Sequence, residues 1–360
     1  LMAYTLDGAA SVPTNHLYNW KDAGGAETNC IPSHDYFISK KCFFFDLTSY
    51  GGEAPNDDPD QPLGTDAQTL KKLLQKRYDL AGGKFGIVIG FPPWHIKYTN
   101  FVNNENSIDP ARLEWHFVEV CTSYNCGIEA DAAHPCWMSN GSLYTNYKRI
   151  FPVTPNAPAK KKTFDPNTRY FTFTWAGDYD CSPWYKSRAA LTWTDKGVGS
   201  VPFIFSVNVN LVDRIPMAFD IMYENRTEND YIIAAEGMGY VIPSAIFQGF
   251  VGKEADPITR TLPSGEKEYL AYAKKYYDMF QIDVTSRIID GFSVMGANAM
   301  EVYNQLSPKG SFVQNSTAGA YDIKTYKGVP YMRMFGVGGA TMEDRCSSML
   351  EQQAHSPYHF

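Results

Sequence analysis

The chain has 360 residues, of which 44% are hydrophobic and 20% are charged, so its composition is that of a globular protein and not of a disordered one. Its formal net charge of −7 argues against nucleic acid as a partner, because an acidic chain offers no large basic face. No apolar run reaches the length that a membrane-spanning helix needs.

Short apolar runs recur along the chain, and each ends in glycine or polar residues. Their apolarity is continuous and not alternating, which indicates parallel strands buried on both faces. The predicted strands are "LMAYTLDG" at the start of the chain, "CFFFDLT" (42–48), "FGIVIGF" (85–91), "CGIEADAA" (126–133), "YFTFTWAGDYD" (170–180), "PFIFSVNVN" (202–210), "DYIIAAEG" (230–237) and "FQIDVTSR" (280–287). Helical periodicity between them predicts helices in 66–80, 111–124, 182–193, 213–225 and 266–280.

Strand, loop and helix alternate about eight times, which predicts an α/β fold, a TIM-type (β/α) barrel with parallel strands and outer helices. A doubly wound parallel sheet is the second architecture that fits. Late in the chain, residues 320–336 predict a strand pair that turns at Lys327–Gly328. The proline-rich stretch 151–170 is interpreted as a long surface loop, because it directly precedes a strand. We expect residues 1–360 to form a single domain.

Acidic residues stand at the ends of several predicted strands, which is where a barrel enzyme carries its chemistry. Each acid alone could be a helix N-cap or a turn residue. Together they would place several negative charges at one rim of the barrel. Such charges repel one another, so a cluster of this kind favours a functional role for the acids. The acids at strand ends are Asp7, Asp46, Glu129, Asp131, Asp178, Asp180 and Glu236.

The stretch "DYIIAAEGMGYVIP" (230–243) places Gly237 and Gly239 directly after a predicted strand. Glycine at such positions permits a positive φ or the close approach of another backbone. Tyr240 would then lie over the mouth of the fold, although a purely structural turn explains the same residues. Pro243 suits the first turn of a short helix.

The segment "GMGYVIP" (237–243) resembles the signature of the GxGYxYP putative glycoside hydrolases. Gly237, Gly239, Tyr240 and Pro243 match it, whereas Ile242 replaces its second tyrosine. Residues 43–70, 174–184 and 207–234 are similar to other blocks of the same family. The resemblance implies a C-terminal catalytic domain of the barrel type that follows an N-terminal domain absent from this chain. It also implies action on glycans in a secreted, periplasmic or cell-surface bacterial protein.

The leading hypothesis is therefore hydrolysis of a glycosidic bond by two carboxyl groups. One of them must be protonated at the working pH, which an apolar pocket favours, and the other must stay ionised. We predict Glu236 and either Glu129 or Asp131 as the pair, with Asp178 and Asp180 as further candidates. A separation of about 5.5 Å would give retention and one of about 6.5–9.5 Å inversion, and both outcomes are open.

Sugar-binding residues are predicted at the same strand ends. Trp94 and Tyr240 offer flat aromatic faces on which a pyranose ring stacks, and two prolines stiffen the loop of Trp94. Asn208 and Asn210 could hydrogen-bond sugar hydroxyls or serve as turn residues. Arg333 could point inwards and neutralise the acids, or outwards to solvent. The predicted substrate-binding set is Asp7, Trp94, His95, Asn208, Asn210, Gly237, Gly239, Tyr240 and Arg333.

Two other functions stay open. A metal-assisted hydrolase, such as a carbohydrate deacetylase, would hold a divalent ion with Asp7, His95, Asp131 and His134, although closely spaced histidines are missing. A non-catalytic glycan-binding module would need the aromatic rings but not the acids. Loss of turnover on carboxylate substitution would separate catalysis from binding alone.

No cofactor is predicted. The segment "NDDPDQ" is a candidate structural calcium site through Asp57, Asp58 and Asp60, but proline turns explain these residues equally well. Seven cysteines without a CxxC pair favour buried thiols over a zinc site or a disulfide framework. The sequence predicts a carbohydrate partner and leaves the oligomeric state open.

Overall fold

The computed structural model describes residues 9–11, 20–21, 27–28, 34–45, 47, 49, 51–55, 58–89, 110–129, 141–158, 163, 174–175, 191–236, 238–247, 260–290, 297–313, 323–334 and 341–354. The strands in these ranges are β1 (Ala9–Ser11), β2 (Trp20–Lys21), β3 (Glu27–Thr28), β4 (Phe43–Phe45), β5 (Gly86–Ile89), β6 (Cys126–Glu129), β7 (Thr174–Trp175), β8 (Phe203–Val207), β9 (Asp230–Ala235), β10 (Val284–Ile288), β11 (Gly310–Val313), β12 (Ile323–Tyr326) and β13 (Val329–Arg333). The helices are α1 (His34–Ser39), α2 (Thr65–Leu80), α3 (Pro110–Thr122), α4 (Gly141–Thr145), α5 (Pro216–Asn225), α6 (Pro243–Phe247), α7 (Glu266–Phe280), α8 (Ala297–Leu306) and α9 (Met342–Ala354), with a 3-10 turn at Val209–Asp213.

The first sheet is parallel and has the order β4-β1-β5-β6. Every residue of β5 and of β6 is buried. Strands buried on both faces have no polar face, which is why these segments are apolar without alternation.

The second sheet has the order β12-β13-β11-β10-β9-β8-β7. All neighbouring pairs in it are parallel except β12 and β13, which form the antiparallel pair at its edge. The turn between these two strands is at Lys327 and Gly328, both with positive φ, as the sequence predicts for this hairpin.

The two sheets share their core. Ile87 and Ile89 of β5 belong to one apolar cluster, which also contains Ile232 of β9. Val88 belongs to a second cluster, which also contains Ala235. Successive side chains of a strand point to opposite faces, so β5 contributes to both clusters.

Helix α7 shows how a helix of the second sheet is placed by its apolar stripe. Its buried residues recur at intervals of three and four, which puts them on one face of the helix. That face contains Tyr269, Ala273, Tyr276, Tyr277 and Phe280, and all five belong to the first apolar cluster.

The architecture is mixed α/β with mainly parallel sheets, as predicted. The strands within the described ranges form open sheets and do not close into a barrel. In a barrel each strand lies beside its neighbours in sequence, whereas β5 here pairs with β1 and not with β4. Such an order occurs in doubly wound sheets.

The predicted first strand, residues 1–8, lies outside the described residues, and the first strand observed is β1. No predicted element covered α8 or β11. None of the helices that the structure describes is long and apolar enough to span a lipid bilayer.

Candidate functional site

The loop after β9 connects the two sheets, and residues 236–244 are called here the β9 turn. Tyr240 N donates to Ile128 O of β6 at 2.7 Å, and Ile128 N donates to Tyr240 O at 2.9 Å. Gly239 has φ +80°, and a Cβ added to it would lie 2.6 Å from Ile128 O. The backbones of the turn and of β6 can approach this closely only because position 239 is glycine.

Backbone amides of the β9 turn find acceptors on several elements, so the turn is held from several sides. The donors and acceptors are Gly239 N and Asn208 Oδ1 at 3.0 Å, Val241 N and Glu236 Oε2 at 3.2 Å, Ile242 N and Thr122 Oγ1 at 3.4 Å, and Ser244 N and Asp290 Oδ1 at 2.7 Å. These contacts bring the carboxyl ends of β6, β8, β9 and β10 to one place. Glu129, Asn208 and Glu236 stand at three of those ends.

Glu236 is completely buried and has a positive φ of 45°. Its carboxylate accepts the Val241 amide, and its carbonyl accepts hydroxyl hydrogen bonds from Tyr269 at 2.9 Å and Tyr303 at 3.0 Å. These contacts give Glu236 a structural role in the turn. The catalytic role assigned to it from the sequence stays a prediction.

Glu129 ends β6 and forms a buried ion pair across the two sheets. Arg214 Nη1 donates to Glu129 Oε1 at 2.7 Å, and both side chains are almost fully buried. The Arg214 guanidinium also lies 5.3 Å from the centre of the Tyr36 ring. Burial raises the pKa of Tyr36, and the Glu129 charge raises it further, so this phenol is neutral.

Asn208 and Asn210 flank the start of the 3-10 turn after β8, and both are buried. Asn208 Oδ1 accepts the Gly239 amide, which fixes the orientation of the side-chain amide. Within the described residues, Asn208 Nδ2 and Asn210 Oδ1 are buried without a hydrogen-bond partner. A buried donor and a buried acceptor of this kind are costly unless a ligand or water satisfies them.

Tyr240 was predicted to lie over the mouth of the fold, but its side chain is only 8% exposed. It packs in the second apolar cluster beside Ala235 and Ile242. Ile242 is fully buried there, and a second tyrosine at this position would need a hydrogen-bond partner for its hydroxyl. The ring of Tyr240 therefore belongs to the core in this structure.

Asp290, after β10, was not selected from the sequence. It is fully buried and accepts two hydrogen bonds from Ser244, from the amide and from the hydroxyl at 2.5 Å. Burial raises its pKa to about 7, and the two Ser244 donors only partly oppose this. Asp290 stands in "RIIDG" at a strand end, so the rule that selected Glu236 would also have found it.

Arg214 and Tyr36 were missed as well. Arg214 contacts Glu129, and Tyr36 lies against Arg214, from distant parts of the chain, and local sequence carries no signal of these contacts. Arg333 ends β13 and is half-buried. Two strands, β10 and β11, separate β13 from β9, which corresponds to roughly 14 Å between the two strands.

Several predicted site residues lie outside the described residues: Asp7, Trp94, His95, Asp131, Asp178, Asp180 and Gly237, together with His134 of the metal hypothesis. Asp57 of the calcium hypothesis also lies outside them, while Asp58 and Asp60 belong to a turn in which Gln61 N donates to Asp58 O. In the part of the chain that the structure describes, no three His, Cys, Asp or Glu side chains are grouped to hold a metal ion.

A cavity of about 860 Å³ lies elsewhere, at the amino-terminal ends of the second sheet. Its lining includes Phe203, Tyr231, Val284 and Phe312, and Asn156 lies beside it. The strands are parallel, so this cavity is at the edge opposite to Glu129 and Glu236. We therefore consider the carboxyl edge, and not this cavity, as the candidate site.

A family model described as the GxGYxYP putative glycoside hydrolase C-terminal domain matches residues 167–354, which is more than half of the chain. A solved structure described as a putative hydrolase from Bacteroides thetaiotaomicron matches with a TM-score of 0.57 and 17% sequence identity. That match covers 89% of this chain and 53% of the other, so this chain spans about half the length of that protein. At this identity the likeness concerns the fold alone. No curated protein matches the chain at a significant level.

Proposed function

The chain belongs to the GxGYxYP putative glycoside hydrolase family, and from this membership and the geometry of the β9 turn we propose that it hydrolyses glycosidic bonds at the carboxyl edge of its sheets. The observation that carries the proposal is the meeting of Glu129, Asn208 and Glu236 around one turn. These residues lie far apart in sequence, and the fold brings their strand ends together. A carboxyl edge serves such chemistry in barrels and in open α/β sheets alike, so the barrel closure predicted from the sequence is not required.

Glu129 is proposed as the ionised carboxylate of the reaction. Arg214 Nη1 donates to Glu129 Oε1 at 2.7 Å and so fixes the position of one carboxylate oxygen. In a retaining enzyme it would attack the anomeric carbon, and in an inverting enzyme it would take a proton from the attacking water. In either case a second carboxyl group gives its proton to the departing glycosidic oxygen.

The proton donor is proposed among Glu236, Asp131, Asp178 and Asp180. Glu236 is completely buried at the end of β9, next to the turn that contacts β6. Its use would require the β9 turn to move, since its carboxylate holds the Val241 amide. Asp131 follows Glu129 by two residues and is nearer to it in sequence than Asp178 and Asp180 are.

Asn208 and Asn210 are proposed to bind sugar hydroxyls. Asn208 Nδ2 is a buried donor and Asn210 Oδ1 a buried acceptor, neither with a partner in the described part of the chain. A hydroxyl group can both accept and donate, so one hydroxyl could satisfy either atom. We therefore propose a glycan as the substrate. From the family likeness we also propose that the protein is exported from the cytoplasm.

The test is to replace Glu129 by Gln and to measure release of reducing sugar and of 4-nitrophenol from a panel of polysaccharides and nitrophenyl glycosides. Gln keeps an oxygen for Arg214 but cannot carry the charge. We expect turnover to fall roughly hundredfold to ten-thousandfold. Because the buried Arg214 then loses the charge of Glu129, we also expect the melting temperature to fall, so turnover is measured at a temperature below the unfolding transition of the variant. Asp278→Asn is the matched control, because Asp278 is an exposed acid paired only with Lys274.

Undiminished turnover in Glu129→Gln would remove Glu129 from the mechanism. If the wild-type protein binds glycans of the panel but releases no product from any of them, the chain is a binding module and not a hydrolase. If turnover disappears on treatment with a chelator and returns with a divalent ion, the metal-assisted alternative replaces the paired carboxyl groups.

A further inference from the structure

At its far end the β9 turn is hydrogen-bonded to the second sheet through the carboxyl group of Asp290. Ser244 follows Pro243 at the start of α6 and gives both of its donors to this group. Asp290 itself follows β10, the neighbour of β9 in the sheet. One side chain thus connects the end of the β9 turn to the next strand.

The surroundings of this contact are apolar. Ile242, Ala245 and Ile289 stand beside Ser244 and Asp290 in the chain, and all three belong to the second apolar cluster. Asp290 and Ser244 have exposed fractions of 0% and 4%. An ionised carboxylate in such a place loses its hydration, and within the described residues the two hydrogen bonds from Ser244 partly compensate for the loss.

The geometry points to Asp290 as a positioning residue: we propose that it holds the β9 turn on the second sheet, and holds it more firmly when protonated than when ionised. Protonated Asp290 can still accept the Ser244 amide on one oxygen, while its own O–H donates to the Ser244 hydroxyl. Ionised Asp290 accepts from both Ser244 groups but leaves a charge in the core. This inference does not depend on glycoside hydrolysis.

The direction of the pH dependence follows from the pKa of Asp290, which is raised from 3.8 to about 7. When the turn opens and Asp290 reaches water, its pKa returns towards the ordinary value. The closed turn is therefore favoured at low pH, and this advantage is lost as the pH rises from about 4 to about 7. Above about 7 the carboxyl group is ionised in both states, and the opening equilibrium becomes constant.

Other charged or titratable groups lie on the elements around the contact. Helix α6 carries none, and the helices that pack on it are α3 and α8. Arg260 contacts the middle of α6, where Nη1 donates to Ala245 O at 3.4 Å. Helix α3 carries Arg112, Glu114, His116, Glu119 and Cys121, helix α8 carries Glu301 and Tyr303, and β10 carries Arg287. Asp290→Asn leaves all of them in place, so the difference between wild type and this variant belongs to Asp290.

The experiment is hydrogen exchange of the peptide covering residues 241–247 between pH 5 and pH 8, read by mass spectrometry and corrected for the intrinsic exchange rates. In the wild-type protein we expect the opening equilibrium to rise by up to tenfold per pH unit between pH 5 and pH 7 and then to level off. In Asp290→Asn we expect this rise to disappear. Asp278 is an exposed acid on α7, and in Asp278→Asn we expect the same rise of the opening equilibrium as in the wild type.

The proposal would be overturned if the opening equilibrium rose with pH equally in Asp290→Asn and in the wild type. It would also be overturned if residues 241–247 of the wild type were better protected from exchange at pH 8 than at pH 5. Ser244→Ala keeps the carboxyl group but removes one donor that favours its ionised form. In Ser244→Ala we expect the opening equilibrium to go on rising to a higher pH than in the wild type. An unchanged midpoint in Ser244→Ala would also overturn the proposal, and this variant provides the test if Asp290→Asn does not fold.

Discussion

At the scale of single residues, contact between the β9 turn and β6 depends on two glycines that face each other. A Cβ on Gly239 would lie 2.6 Å from Ile128 O, and one on Gly127 would lie 2.4 Å from Met238 O. Neither obstacle is the flexible end of a side chain, so neither can move away cheaply. The family signature at this point therefore has a packing reason, which is independent of any catalytic role.

Gly239→Ala is predicted to destabilise the protein by roughly 2–5 kcal/mol, because strain at positive φ is added to the clash with Ile128. Gly328→Ala is the matched control: its φ is +84°, but nothing lies within 4 Å of the added Cβ. Strain alone should cost the control about 1 kcal/mol. Urea unfolding measures both, and equal losses would show that the contact with β6 contributes nothing.

At the scale of elements, the proline-rich segment 151–170 was predicted as a surface loop, and in its described part Asn156 is hydrogen-bonded to the sheet. Asn156 donates from Nδ2 to Ile232 O and accepts from Ile232 N, both at 2.8 Å, so its amide acts as a short piece of strand beside β9. Arg149 pairs with Asp220 of α5 at 3.1 Å. The prolines correctly predicted an irregular segment, but they did not predict its hydrogen bonds to β9 or the ion pair with α5.

Asn156→Asp is predicted to cost about 1–3 kcal/mol, since a carboxylate would replace the donor that faces Ile232 O. Asn146→Asp removes a similar donor from an exposed hydrogen bond, that to Ser142 O at 2.8 Å. We expect its effect to be smaller than about 1 kcal/mol. Thermal and urea unfolding compare the two variants, and a loss of the same size in both would contradict the attachment of the segment through Asn156.

At the scale of the whole molecule, the two sheets are joined by the bridge between Ile128 and Tyr240 and by the ion pair of Glu129 with Arg214. The ion pair is buried, so removal of one partner leaves a charge in the core. Its geometry connects the end of β6 with the segment after β8. The same pair is the centre of the proposed chemistry.

Arg214→Met is predicted to cost about 3–5 kcal/mol of unfolding free energy, because Glu129 remains buried without its cation. Adding Glu129→Gln to that variant should restore part of the loss, and a double-mutant cycle measures the coupling. The exposed pair of Lys274 and Asp278 is the control, with a coupling below about 1 kcal/mol. Additive effects at the buried pair would show that it does not tie the sheets together.

Apolar runs in the sequence predicted the strands β4 to β6, the strands β8 to β10 and the hairpin of β12 and β13. Helix α8 and strand β11 were not predicted, although "ANAMEVYNQL" buries residues at helical spacing, among them Ala299, Val302 and Tyr303. Glu129, Asn208 and Glu236 of the candidate site could be selected from the sequence, because each directly follows an apolar run. Their partners could not be found in the same way, since Arg214 lies 85 residues from Glu129.

By itself, the sequence determined the apolar runs that become parallel strands, the glycine turn after β9 and the family likeness. These are properties of neighbouring residues, and neighbouring residues set backbone preferences and hydrophobic periodicity. Only the tertiary structure decided that β1 lies between β4 and β5, that Tyr240 is buried and that Asp290 holds Ser244. Each of those outcomes depends on which distant segments come together to bury apolar surface and satisfy polar groups, and no local pattern contains that information.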